Sequence, residues 1–239
     1  MRDVVIASYV RSAQSRCRPN DPGRDWLFNM RTDDLLAKLM PEATSRAGLE
    51  PKDIDDLIVG CAQAVGENFT LGGRSPAMLA NMDKRTSAKM VDEQCGSTLA
   101  ALQIGFMEIA QGFADVVMCG GMEHMGRIPM GGDGKIELNL RFFSDPSLRH
   151  WDFMTAMNMG LTAEKIAAMG YSREDMDAWG ARSHQLAYKA QQEGFFVDVQ
   201  AIDVVVTGLD QFLRERALPR RHVEDAALGQ GNGQRGHSV

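Results

Sequence analysis

Long apolar runs are missing from this sequence. None approaches the roughly 20 residues that a membrane-spanning helix needs, and Met1-Arg-Asp-Val-Val-Ile-Ala leads into a segment too short for a secretory apolar core. A basic stripe is missing too: 26 Lys and Arg are scattered among 32 Asp and Glu, for a net charge of -6, which argues against nucleic acid as a partner. Cysteine is sparse. Cys17, Cys61, Cys95 and Cys119 are widely spaced with no Cys-x-x-Cys pair, so neither a zinc site nor a disulfide framework is expected. Together these absences predict a cytoplasmic protein with reduced thiols, no metal, no membrane attachment and no nucleic-acid partner. What is present, 44% apolar residues over 239 positions, is enough for a substantial core.

Short β-rich runs alternate with helical patterns, which is the order of an α/β fold with a mixed or parallel sheet. Strands are expected at Val4 to Val10, Leu57 to Gly60, Asp115 to Cys119 and Ile202 to Thr207. A helix is expected from about Asp33 to Ala47, stopped at Gly48, with Pro41 inside its pattern. Gly72-Gly-Arg74 is too short for a phosphate loop and is read as opening a helix. The stretch holding Gly131-Gly-Asp-Gly134 and Phe142-Phe-Ser-Asp-Pro146 reads as irregular. Two helices follow, Thr162 to Met169 closed by Gly170, and one opened by Ser172 with Met176, Trp179, Leu186 and Ala190 as its buried side.

The segment Val91-Asp-Glu-Gln-Cys-Gly-Ser-Thr-Leu-Ala-Ala-Leu102 carries the most chemistry. Leu99, Leu102, Phe106 and Ile109 recur at steps of three and four, and Gly96-Ser97 are start signals, so Cys95 stands at the beginning of a helix. Unpaired amides and the positive end of the helix dipole favour thiolate there. The local pattern leaves two readings open, a nucleophile or an inert packed thiol. Cys61 and Cys119 lie in or beside strands and read as core. Glu123 and His124 border the same strand end, with a structural role the stronger reading, and Arg182 and His184 read as parts of a solvated helix face.

Taken in order, the cysteine helix, Gly120-Gly-Met-Glu-His-Met-Gly126, Met159-Gly-Leu-Thr-Ala-Glu164, Gly170-Tyr-Ser-Arg-Glu-Asp-Met-Asp177 and Ala181-Arg-Ser-His-Gln185 resemble the thiolase family. The likeness is nearest to the degradative 3-ketoacyl-CoA thiolases and covers roughly residues 3 to 209. It implies the N-terminal half of a thiolase-like α/β fold, a mixed sheet flanked by helices, with an inserted loop domain. The implied parts are a core over residues 1–120, a CoA-binding loop domain over 121–200, a returning strand at 201–209, and an aberrant tail at 210–239. The resemblance further implies Cys95 as the nucleophile toward a 3-ketoacyl-CoA, Met159 beside the acyl pocket, and coenzyme A as co-substrate with no permanently bound cofactor. It also implies a homo-oligomer formed through this half. Arg11-Ser-Ala-Gln-Ser15 and Thr98 depart from the family pattern, and Asn158 argues for the degradative branch over the biosynthetic one.

The family's Gly-His-Pro, Cys-x-Gly-Gly-Gly and Asn-Glu-Ala motifs do not occur, and His237 in Gly236-His-Ser-Val239 is not a match to the first. All sixteen methionines lie at or before Met176, and from Gln211 onward the family pattern is lost. A frameshift near Leu209 is the expectation, with a native disordered tail as its competitor. Two further functional readings stand beside the acyltransferase: a non-catalytic remnant or CoA-binding and subunit-docking module, and a ketoacyl synthase. The Met-Gly-Leu-Thr-Ala-Glu and Ser-Arg-Glu-Asp motifs disfavour the synthase.

Overall fold

A computed structural model describes residues 2–17 and 20–194, which form two compact units that divide after Ile136. The strand expected at Ile202–Thr207 and the parts assigned to 201–209 and 210–239 lie outside the described residues.

The first unit is built on a three-stranded sheet. Strands β1 (Asp56–Gly60), β3 (Ser87–Val91) and β4 (Val117–Gly121) run parallel in the order β3-β1-β4, while a short β2 (Thr70–Gly73) precedes the helix α2 (Arg74–Leu79). Central β1 reads Asp-Leu-Ile-Val-Gly and is buried throughout, the near-continuous apolar run expected of a parallel strand covered on both faces. Full burial of Leu57, Ile58 and Val59 contributes about 1.5–3 kcal/mol each.

Helix α1 (Thr32–Arg46) lies with α2 on one face of the sheet, where Leu36, Met40, Leu57, Val59, Ala77 and Met122 make the core. Pro41 lies inside α1, as the sequence places it. Helix α3 (Ser97–Gln111) covers the other face. Its sheet side consists of small residues, Ser97, Ala100, Ala101, Gly105 and Ala110, which let it approach closely; a Cβ on Gly105 would crowd Cys119 Sγ and Val117. The periodic face Leu99, Leu102, Phe106 therefore points away from the sheet and is exposed, 60% at Leu99 and 49% at Phe106. Lys89 pins α3 in register, bonding Asp56 of β1 and, at 2.7 Å, Glu108 of α3.

The expected strand at Val4–Val10 is not formed. The segment pairs with none of the three strands, and Val5, Ile6 and Tyr9 are exposed. It is held instead by Ser8 Oγ donating to the Ala43 carbonyl at 2.7 Å and by Arg46 donating to the Tyr9 carbonyl at 3.4 Å.

The second unit comprises α4 (Arg141–Ser144), α5 (Phe153–Met157), α6 (Met159–Ala167) and α7 (Arg173–Gln192). Ser172 caps α7 through a capping box with Asp175, so the helix begins where the sequence places it. Its expected buried side is not buried: Met176, Trp179 and Leu186 are all exposed. The apolar stripe exists, but among the described residues no other element of this unit covers it. Around Phe142 the chain is less irregular than expected, since Phe142 stacks on Phe153 with ring centroids 4.2 Å apart.

Candidate active site

In an open parallel α/β sheet, ligands bind beyond the carboxyl ends of the strands. Here those ends are Gly60, Val91 and Gly121. Four residues after Val91 the chain reaches Cys95, and α3 then starts with Gly96 as its N-cap. Cys95 thus stands just outside the first turn of a 15-residue helix, at the carboxyl edge of the sheet, and its side chain is exposed.

Glycines at two strand ends make room for this helix start. A Cβ on Gly60 would sit 2.5 Å from the Ser97 carbonyl carbon and from the Thr98 amide, and one on Gly121 would strike Thr98 Oγ1. The turn itself is closed by the Gly96 amide donating to Glu93 at 2.9 Å and the Ser97 amide donating to Gln94 at 3.1 Å. Among the described residues the Cys95 amide donates to no acceptor, which leaves it available to a bound oxygen.

The other thiols separate from Cys95 by environment. Burial, reinforced by the Glu123 carboxylate that accepts from its Sγ at 3.6 Å, pushes the Cys61 thiol up to about 12. Burial, with Glu108 nearby, pushes Cys119 up to about 11, and its Sγ donates to the Ala101 carbonyl at 3.3 Å. Both are protonated and hydrogen-bonded at neutral pH, so neither is a nucleophile. Cys17 is exposed but lies outside any helix start.

Glu123 and His124 serve as structure. Glu123 receives the amides of Ala62 at 2.9 Å and Gln63 at 3.2 Å and the Asn68 side chain at 2.9 Å, fixing the loop after β1. His124 is buried, donates from Nε2 to the Leu27 carbonyl at 3.0 Å and has Nδ1 4.0 Å from Asp25 Oδ2. Beside them, Arg127 grips Glu67 through two bonds of 2.6 and 2.8 Å and holds that carboxyl below its usual range. For Asp33, burial alone would raise the carboxyl, but bonds from Arg31, Ser75 and the Asp34 amide outweigh it, and the value is lowered. A depressed carboxylate contributes stability that is present above the unfolded value of about 4 and lost as pH falls below it. The melting temperature is expected to drop between about pH 5 and pH 3, and Arg127→Met to flatten that drop. A wild-type melting temperature constant across the interval would contradict this.

Met159 opens α6 in the second unit, after Asn158, whose side chain caps the helix by accepting from the Leu161 amide at 3.1 Å; the methionine is exposed. Each of the two residues singled out from the sequence is therefore placed, Cys95 in one unit and Met159 in the other. Sequence reasoning named Ser97 only as a helix start signal and missed Gln94; the two frame the cysteine turn. The glycines ending β1 and β4 were a usable signal, because Gly at a strand end marks a close backbone approach. Among the described residues no group of three or more His, Cys, Asp or Glu is arranged to hold a metal ion, and no helix is long and apolar enough to cross a membrane.

The family model described as the thiolase N-terminal domain matches residues 11–227. The chain belongs to the thiolase family. That thiolase match continues past Leu209, where the motifs read from the sequence end. The chain is 38% identical over 197 residues to a 3-ketoacyl-CoA thiolase of Saccharophagus degradans, covering 82% of this chain and 47% of that protein. With the 3-ketoacyl-CoA thiolase of Marinobacter nauticus the identity is 34% over 235 residues, covering 96% and 56%. With that of Chromohalobacter salexigens it is 34% over 215 residues, covering 89% and 51%. The chain spans about half the length of the curated thiolases it matches.

Proposed function

We propose that this chain is the acyl-accepting half of a 3-ketoacyl-CoA thiolase, with Cys95 as the acyl acceptor. The observation that carries the reading is an exposed thiol at the carboxyl edge of the sheet and the start of α3, in a thiolase-family chain whose Cys61 and Cys119 are held protonated. In the reaction the Cys95 thiolate attacks the 3-keto carbon of a 3-ketoacyl-CoA. The bond between C2 and C3 breaks, its electron pair leaves with the acetyl-CoA enolate, which takes a proton, and the shortened acyl group stays on Sγ as a thioester. A second coenzyme A then attacks that thioester and restores the thiolate. The free Cys95 amide is positioned to donate to the thioester oxygen as charge develops on it.

Turnover also needs a base for the incoming thiol and an acid for the enolate. His124, the histidine nearest this edge in sequence, is buried with Nε2 on the Leu27 carbonyl and is read as a packing residue. In this reading the chain on its own stops at the acyl-cysteine. Acyl-CoA and coenzyme A are its partners, no cofactor is retained, Met159 borders the acyl group, and the setting is cytoplasmic fatty-acid β-oxidation in a homo-oligomer.

Mixed with acetyl-CoA, the protein is expected to release about one equivalent of coenzyme A per chain in a burst without sustained turnover, and Cys95→Ser to release none. Chromatographic quantification of free coenzyme A decides this; a burst that survives Cys95→Ser would contradict the assignment. A non-catalytic docking module is the second reading, favoured by the exposed α3 face at Leu99, Leu102, Phe106 and Met107. It gains if wild-type protein releases no coenzyme A yet self-associates in sedimentation.

A further inference from the structure

One buried hydroxyl holds the turn that presents Cys95. Ser97 Oγ accepts from the Glu93 amide at 2.9 Å and donates to the Gln94 carbonyl at 2.5 Å. Ser97 is 3% exposed, and its backbone is wedged against Gly60 at the end of β1. It is thus anchored to the sheet on one side and grips both residues that precede Cys95 on the other. Gln94 is held at φ +49°, a left-handed conformation that a non-glycine residue keeps only where its surroundings fasten it. Its amide is tied in turn to Asp92 Oδ1 at 2.9 Å. Cys95 lies inside this bracket and, among the described residues, makes no hydrogen bond through its side chain or its amide, so its direction is set by its neighbours.

We propose that Ser97 is a positioning residue for the Cys95 thiol, acting through the Glu93 amide and the Gln94 carbonyl to fix the turn in its reactive form. This rests on the reading of Cys95 as acyl acceptor and adds the group that aims it. Removing the hydroxyl leaves the Glu93 amide without its acceptor and releases Gln94 toward negative φ, which rotates Cys95 away from the start of α3. The amide meant for the thioester oxygen turns with it.

The test is labelling of the full native chain with iodoacetamide at neutral pH, with the rate at each cysteine followed by peptide mass spectrometry. In wild type, Cys95 is expected to label faster than exposed Cys17, while Cys61 stays protected. Ser97→Ala is expected to slow Cys95 about tenfold while Cys61 remains protected, and Ser97→Thr, which keeps the hydroxyl, to recover most of the rate. A wild-type rate at Cys95 in Ser97→Ala overturns the proposal. So does a slowed rate that threonine fails to restore. Loss of Cys61 protection in Ser97→Ala also overturns it, because the hydroxyl would then be holding the fold rather than aiming the thiol. A wild-type Cys95 no faster than Cys17 strikes instead at the acyl-acceptor reading, a result visible before any variant is compared.

Discussion

Gly60→Ala is expected to destabilise the first unit by about 3 kcal/mol, at the upper end of what overpacking a close contact costs. The added Cβ would meet the Ser97 carbonyl carbon and the Thr98 amide at 2.5 Å, and both are backbone atoms that no rotamer change can move aside. Either α3 withdraws from the end of β1 or β1 shifts. Because β1 is the buried central strand, a shift would disturb its pairing with both β3 and β4. Withdrawal of α3 would carry the Cys95 turn with it and open the cover over Cys119. The urea midpoint of the variant measures the loss, and iodoacetamide labelling of Cys119 reports the opening. A wild-type midpoint with Cys119 still protected would mean that the helix start does not rest on Gly60.

Asn68→Leu is expected to cost a comparable amount, about 3 kcal/mol, for a different reason. Asn68 is 0% exposed, and its side chain joins three segments: it donates to the Gln63 carbonyl at 3.1 Å and to Glu123 at 2.9 Å, and accepts from Thr32 Oγ1 at 2.8 Å. Leucine keeps the branched skeleton but leaves the Thr32 hydroxyl without its acceptor and Glu123 Oε1 without its donor in a dry setting, while the Gln63 carbonyl retains the Val65 amide at 2.8 Å. Because orphaned groups cost more than absent ones, adding Thr32→Val is expected to recover part of the loss. Thermal unfolding of the two single variants and the double variant measures the coupling. Additive losses across that cycle would show that Thr32 and Asn68 do not depend on each other.

Both predictions concern the frame around Cys95 rather than the cysteine itself, and that frame was the less legible part of the sequence. The helix at Cys95 could be read because its apolar residues recur at helical spacing and Gly96-Ser97 mark its start. Periodicity did not reveal which side of that helix meets the sheet. Close packing selects small residues, so Ala100, Ala101 and Gly105 face inward while the leucines and Phe106 face out. The capping box at Ser172 is a local signal and was visible, whereas the burial of Met176 and Trp179 depends on a covering element that is absent among the described residues of the second unit. Val4 to Val10 has strand chemistry, but whether such a segment joins a sheet is a tertiary matter, and this one is bonded to α1 through Ser8 and Arg46 instead. The left-handed Gln94 and the two hydrogen bonds of the Ser97 hydroxyl leave no periodic trace at all.

Family membership came from several motifs in one order, and the chemistry assigned to them converges on a single sulfur atom. The most direct test exposes the native protein to an acyl-CoA, quenches it in acid to preserve thioesters, and maps the acyl group by peptide mass spectrometry. An acyl group on Cys95, absent from Cys61 and Cys119, is the expected result. Acylation spread over the other cysteines, or none on Cys95 in folded protein, would contradict the assignment of Cys95 as the acyl acceptor.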